Sequence, residues 1–251
     1  MVTYDVDSEI ERVTAPLVAV RALNKVFPGG SEALRAVSEV SFELEQGGFA
    51  AITGPSGSGK STLLHLLGGI EKPTSGEIWV SGTAIHSLGE SDLARYRLTQ
   101  VGFIFQAFHL IPNLTIYNNV AMPGLLAGTI SGPLRERVMA LLESVGIGDK
   151  AGRLPHELSG GQQQRAAIAR ALVNDPALIM ADEPTGNLDS ASGDAVLQLL
   201  GELNDRGKTL LMVTHDARIA GWAGRQLRMR DGRLLAMADG GGGPASPPPE
   251  P

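Results

Sequence analysis

The sequence predicts an α/β fold built on a parallel sheet, with a small antiparallel sheet near the N-terminal end and a helical insert between two core strands. Three observations carry this prediction. Gly54-Pro55-Ser56-Gly57-Ser58-Gly59-Lys60-Ser61-Thr62 follows the apolar run Phe49-Ala50-Ala51-Ile52 and precedes Leu63-Leu64-His65-Leu66-Leu67, giving a strand, a glycine loop and a helix. Three further short apolar runs, residues 101–105, 177–181 and 209–214, read as strands covered on both faces, and each ends in a polar residue suited to chemistry. Between residues 40 and 45, apolar Val40, Phe42 and Leu44 alternate with Ser41, Glu43 and Glu45, the period of a strand with one buried face.

In the glycine stretch, Gly54, Gly57 and Gly59 let backbone N–H groups turn inward around a phosphate chain, and the following helix adds the positive end of its dipole. Lys60 can then reach the β- and γ-phosphates, while Ser61, the first hydroxyl on the helix, is placed to ligate a Mg²⁺ that bridges them. A bland glycine-rich turn requires neither a lysine nor a hydroxyl in that order. Residues 54–62 therefore read as a nucleotide loop, without saying what the nucleotide is for.

Bulk properties narrow the class. A chain of 251 residues can bury one large domain or two modest ones, and 43% hydrophobic residues is ordinary for a globular protein. The absence of cysteine excludes a disulfide framework and a thiolate metal site, and fits a reducing compartment. A net charge of −6 argues against nucleic acid as the default partner. No run approaches the roughly eighteen apolar residues of a membrane span. Asp5, Asp7, Glu9 and Glu11 are unlike a signal peptide, so the chain by itself is expected to be soluble.

Taken in order, residues 1–16 are polar and acidic and are expected to form a flexible arm. An extended segment from Leu17 ends at the turn cluster Phe27-Pro28-Gly29-Gly30. Phe27 has two readings, a flat face for an adenine ring or a plug in the small sheet, and spacing alone favours the plug. Residues 77–80, bracketed by Ser-Gly pairs, add a short strand to that sheet. The strand at 101–105 delivers Gln106 at its C-terminal end, where α/β sheets place ligands. The insert that follows carries helical spacing from Arg135 to Val145. His109 within it reads as a partly exposed loop residue, since nothing nearby completes a metal set.

Leu158-Ser159-Gly160-Gly161-Gln162 then opens a helix rich in good helix formers, with Ser159 as N-cap and uncovered amides that can hold an anion. As capping alone this is unremarkable, but a second phosphate element in one chain makes sense if two chains share a nucleotide. The strand at 177–181 ends in Asp182-Glu183. Adjacent carboxylates there point to different sides, so one can serve a Mg²⁺ shell while the other faces an attacking water. Asn187-Leu188-Asp189 reads as a turn before a helix marked by Val196, Leu199, Leu200 and Leu203. The strand at 209–214 ends in His215, a candidate contact for the γ-phosphate. Leu227 and Met229 lead into Asp231-Gly232, and Leu235 and Met237 away from it, as a hairpin. Residues 239–251, glycine- then proline-rich, are expected to be disordered.

Residues 54–62, Gln106, the Leu158-Ser159-Gly160-Gly161-Gln162 element, Asp182-Glu183 and His215, in this order, resemble the ATP-binding subunit of an ABC transporter. The resemblance covers residues 17–237 and rests above all on Leu158 to Gln162, since phosphate loops are shared by many families. Gly102-Phe103-Ile104-Phe105-Gln106 and Asp182-Glu183-Pro184-Thr185-Gly186-Asn187-Leu188-Asp189 are similar to the macrolide-export and lipoprotein-release branch. The resemblance implies a P-loop ATPase with a RecA-like parallel core and β subdomain (17–106 and 166–238) and a helical subdomain (107–165). It implies that Lys60 and the loop amides hold the β- and γ-phosphates of ATP, that Ser61, Gln106 and Asp182 serve Mg²⁺, that Glu183 is the general base and that His215 contacts the γ-phosphate. Ser159, Gly160, Gly161 and Gln162 would serve the ATP of a second ABC subunit, with Asp189 at the dimer seam. Phe27 would stack on adenine in place of the more usual tyrosine. A separate integral membrane permease would dock beside Gln106, near Phe108, His109 and Leu110, holding the chain at the cytoplasmic face of the membrane. Packing inside the insert is the competing reading for those three residues.

Two rival classes follow the same motifs. ABC ATPases that serve DNA repair, chromosome organisation or translation share them, but no sustained heptads lie between Gln106 and Leu158 and each motif occurs once. A P-loop kinase or GTPase has no use for Ser159 to Gln162.

Overall fold

The computed structural model describes residues 15–29 and 33–239, so most of the expected N-terminal arm and nearly all of the expected tail lie outside the described residues. The strands are β1 (Val18–Phe27), β2 (Leu34–Leu44), β3 (Phe49–Thr53), β4 (Ser75–Val80), β5 (Thr83–Ala84), β6 (Val101–Phe105), β7 (Leu178–Asp182), β8 (Thr209–Thr214), β9 (Arg225–Arg230) and β10 (Arg233–Asp239). The helices are α1 (Lys60–Leu67), α2 (Glu90–Thr99), α3 (Ile116–Leu126), α4 (Ser131–Ser144), α5 (Gly160–Leu172), α6 (Ser190–Asp205) and α7 (Ala217–Ala220).

Two sheets form. One is antiparallel, in the order β2-β1-β4-β5, and is the small sheet that the alternation predicts. The other has the order β10-β9-β3-β8-β7-β6, with β9, β3, β8, β7 and β6 parallel and β10 antiparallel at the edge. Parallel pairing in register has a direct consequence for function. Thr53 lies opposite Thr214, Val213 opposite Asp182, and Asp182 opposite Phe105, so the phosphate loop, His215, Glu183 and Gln106 all leave the sheet along one edge.

The core strands are apolar throughout because both faces are covered. Ala51, Ile179, Ala181, Leu210 and Met212 pack with Val120, Val138, Leu142, Ile168 and Val196 from helices α3 to α6. Ile52, Leu178, Met180, Leu211 and Val213 pack on the other side with Leu63 and Leu67 of α1, Leu93 and Tyr96 of α2, and Leu23, Val40 and Phe42 of the antiparallel sheet. The helical insert thus shares its hydrophobic core with the central sheet. The sequence-based boundary between residues 165 and 166 falls inside the continuous helix α5.

Several elements differ from the sequence reading. Helix α4 begins at Ser131 rather than near Arg135, since its first turn, Ser131-Gly132-Pro133, carries no apolar period. Helix α3 contains Asn118, Asn119 and Pro123, poor helix formers that hid it. It is held by Thr115, whose hydroxyl accepts from the Asn118 N–H at 3.2 Å, and by buried Asn119, whose amide donates to the carbonyls of Ile111, Leu114 and Thr115 at 3.0–3.1 Å. Helix α2, whose buried residues are Leu93 and Tyr96, was also invisible to periodicity.

Candidate functional site

The loop between β3 and α1 owes its shape to its glycines. Gly54 has φ 150° and Gly59 has φ 95°, and a Cβ would lie 2.2 Å from the Met229 carbonyl oxygen at the first and 2.1 Å from the Ala36 carbonyl oxygen at the second. The loop is thus pressed against β2 and β9, with no room for a side chain at either point. The turn of the predicted hairpin clamps it. The Gly232 N–H donates to the Ser58 carbonyl at 3.1 Å, and the Gly232 carbonyl accepts from Ser38 at 2.8 Å. Lys60, 7% exposed, donates to the carbonyls of Gly54 and Pro55 at 2.9 Å each, which holds its ammonium over the loop.

A cavity of about 1000 Å³ opens on this loop. It is lined by Phe27 and Leu34, by the segment from Pro55 to Thr62 apart from buried Ser58, and by Gln106, Glu183 and His215, which follow the strand ends. Asp182 stands behind Ser61. The Ser61 hydroxyl donates to Asp182 Oδ1 across 3.3 Å. Burial pushes the Asp182 carboxyl above its ordinary range, against the opposing pull of the Ser61 hydroxyl. Hydroxyl and carboxylate oxygens side by side are the hard-donor chemistry that Mg²⁺ takes, so these residues fit the ion that the loop implies. Gln106 donates through Nε2 to Asn187 Oδ1 at 3.1 Å, and Asn187 returns a bond to the Gln106 carbonyl at 3.0 Å.

Glu183 reaches the cavity by a route the pleat alone does not supply. It follows the end of β7 with φ 47°, a left-handed backbone uncommon outside glycine, fixed by a 3.0 Å bond from its N–H to the Val213 carbonyl. That twist, more than strand alternation, separates it from Asp182. Its carboxylate meets His215, with Nδ1 2.8 Å from Oε1 and 2.7 Å from Oε2. Arranged so, Glu183 is a carboxylate at the cavity wall with its orientation set by an imidazole, the geometry of a base held by a positioning partner.

Phe27 is not a plug in the small sheet. It is half-buried, lies outside the sheet's hydrophobic cluster, and borders the cavity. Ser159 caps α5 as expected: its hydroxyl accepts from Gln162 N at 3.4 Å, and Gln162 Oε1 accepts from Ser159 N at 3.0 Å. Residues 159–162 do not line the cavity. Asp189 follows the turn at residues 184–187 rather than lying in it, and caps α6, accepting from Ser192 N at 2.9 Å. His109 is exposed, with its ring 4.8 Å from that of Phe105.

Sequence reasoning missed several contributors. Leu34, Arg35 and Asp231 also line the cavity, brought there by pairing of β1 with β2 and by the hairpin. Gln164, fully buried, donates to the Pro184 carbonyl at 2.6 Å and the Phe105 carbonyl at 3.4 Å, tying α5 to the two segments that carry Glu183 and Gln106. A polar residue on the apolar side of an otherwise amphipathic helix was the available signal. A second cavity of about 420 Å³ lies between the sheet edge and the insert, lined by Phe103, Phe105, His109, Met122, Leu126 and Arg170 among others. No described helix is long and apolar enough to cross a membrane.

Residues 37–186 match the family model described as ABC transporter. The chain is 45% identical over 235 residues to a macrolide export ATP-binding/permease protein MacB 1/2 of Paracoccus denitrificans, covering 94% of this chain and 35% of the relative, so it spans about a third of that protein's length. It is 46% identical over 210 residues to an uncharacterized ABC transporter ATP-binding protein of Thermotoga maritima, covering 84% of this chain and 90% of the relative. Among solved structures, the dimeric ATP-binding cassette MJ0796 in a post-hydrolysis state bound to ADP and Pi superimposes with a TM-score of 0.83 at 40% identity, covering 90% of this chain and 99% of that one. With a phosphate loop, strand-end polar residues and a capped Ser159 helix in the same fold, the chain belongs to the ABC transporter family as an ATP-binding domain and is an ATPase.

Proposed function

We propose that two chains close head to tail around two ATP molecules and that this closure drives a separate membrane permease. The observation that carries the reading is the division of the motifs. The cavity of each chain gathers Phe27, the loop, Lys60, Ser61, Gln106, Glu183 and His215, while the capped N-terminus of α5 faces elsewhere. An anion-binding helix end outside the chain's own nucleotide cavity is suited to the ATP of another chain. In this reading Phe27 stacks on adenine, Lys60 and the loop amides hold the β- and γ-phosphates, and Ser61, Gln106 and Asp182 hold Mg²⁺. The ion, when bound, neutralises charge between the β- and γ-phosphates. Glu183 takes the proton of the attacking water and His215 orients it while contacting the γ-phosphate. Ser159 to Gln162 and Asp189 complete the second half of the seam. Loss of the γ-phosphate removes a bridge that both chains share, and the dimer reopens.

In the same reading the permease docks beside Gln106, near Phe108, His109 and Leu110, of which Leu110 also packs against the core and His109 also lines the groove between the sheet edge and the insert. The chain would sit at the cytoplasmic face of a membrane through that partner. The similarity to a macrolide export protein supports an exporter role, and the resemblance of the motifs around Gln106 and Asp182 extends the reading to lipoprotein release. Glu183→Gln should lower hydrolysis by about 10²- to 10⁴-fold while ATP binding persists. Tagged and gently solubilised from membranes in ATP, that variant should co-purify with a stoichiometric integral membrane protein. Recovery with ribosomes, DNA or a soluble complex would instead favour an ABC ATPase that moves no solute.

A further inference from the structure

Resting on the assignment of Phe27 as the base platform, we infer that Lys25 is a positioning residue for nucleotide recognition, which fixes the Phe27 ring from behind. Lys25 and Phe27 are two apart on β1, so both side chains leave the same face of the strand. The Lys25 ammonium lies 4.7 Å from the centre of the Phe27 ring, within cation–π range. It is unusually well tethered for a lysine: its side chain is 12% exposed, and it donates to Glu71 Oε2 at 2.8 Å and to the Lys72 carbonyl at 2.8 Å. Phe27 borders the nucleotide cavity and Lys25 does not.

These contacts give the ring a fixed support. Phenylalanine has no hydroxyl with which to anchor its own plane, so the orientation of a half-buried ring at the end of a strand depends on what packs against it. A tethered cation against one face restrains that orientation through the ring quadrupole. It also draws π-density toward itself, so the opposite face becomes a better match for an electron-rich purine. Glu71 and the Lys72 carbonyl follow α1, the helix begun by the phosphate loop, so the lysine couples the base platform to the same segment that grips the phosphates. The part of ATP that gains from Lys25 is therefore the base.

The test separates base from phosphate binding. Affinity of the full chain is measured for ATP and for tripolyphosphate, each with Mg²⁺, in wild type, Lys25→Met, Lys25→Arg, Glu71→Gln and Phe27→Ala. Lys25→Met keeps the apolar stem and removes the cation; it should weaken ATP by about three- to tenfold and leave tripolyphosphate unchanged. Lys25→Arg should restore most of the loss. Glu71→Gln reads the same tether with the lysine retained, should show a smaller base-dependent loss, and decides the matter if Lys25→Met does not fold. Equal weakening of ATP and tripolyphosphate, or no change in ATP affinity, would overturn the role of Lys25. Phe27→Ala is the control for the underlying assignment: if it too leaves the ATP-to-tripolyphosphate ratio unchanged, Phe27 is not the platform and the error lies there instead.

Discussion

At Gly59 the backbone adopts φ 95° and passes so close to β2 that a Cβ would sit 2.1 Å from the Ala36 carbonyl oxygen. The neighbour is main chain in a paired strand and cannot swing aside. Gly59→Ala therefore imposes both a left-handed conformation on a residue with a Cβ and a backbone collision, a strain of at least about 1–3 kcal/mol. Calorimetry should show a lower unfolding temperature, and ATP titration should show lost binding; a variant with wild-type values for both would contradict the close packing of loop on sheet. Most residues of the candidate site were legible because their chemistry is local: a glycine loop with Lys60 and Ser61, a carboxylate pair after an apolar run, a cap before a helix. Gln164, Leu34 and Asn187 were not, because their partners lie 20 to 81 residues away or across a strand pairing that no local pattern reports. Glu183 was legible as a carboxylate at a strand end, but its aim comes from a left-handed turn that residue type does not announce.

Single caps decide where elements start. Asp189 closes the N-terminus of α6, and the Ser192 backbone N–H holds its carboxyl below the usual carboxylate range. A carboxylate whose value is lowered by folding stabilises the fold fully above its unfolded value, about 3.9, and loses that contribution as pH falls through the lowered folded value. Asp189→Asn keeps an oxygen acceptor without the charge. The stability difference between wild type and this variant should be flat at neutral pH and shrink on acidification below about pH 4, read by denaturant unfolding across pH. A pH-independent difference would mean that the carboxylate's charge has no part in capping. At this scale an uninterrupted apolar run located β8 to the residue and an apolar stripe located α6; periodicity had less to offer elsewhere. It passed over α2 and α3, because two buried residues on one helix and a proline within the other leave no stripe to count.

Across the whole molecule, one parallel sheet does the organising. Its two faces bind the helical insert and the antiparallel sheet into two cores, one on each side, and its C-terminal edge collects four polar segments that are distant in sequence. The parallel order was legible from apolar strands that end in functional residues. The sharing of one core between insert and sheet was not, because a boundary drawn from motifs says nothing about which side chains interdigitate across it. The arrangement leaves the α5 N-terminus outside the cavity that holds its own chain's phosphate loop, and on this rests the proposal that a second chain completes the site. Light scattering of the Glu183→Gln chain during size-exclusion chromatography tests this most directly. The mass should be that of one chain without nucleotide and double in saturating Mg²⁺ and ATP, while Lys60→Ala stays at one chain throughout. A Glu183→Gln chain that binds ATP yet remains a monomer at every ATP and protein concentration tested would contradict the shared-nucleotide account.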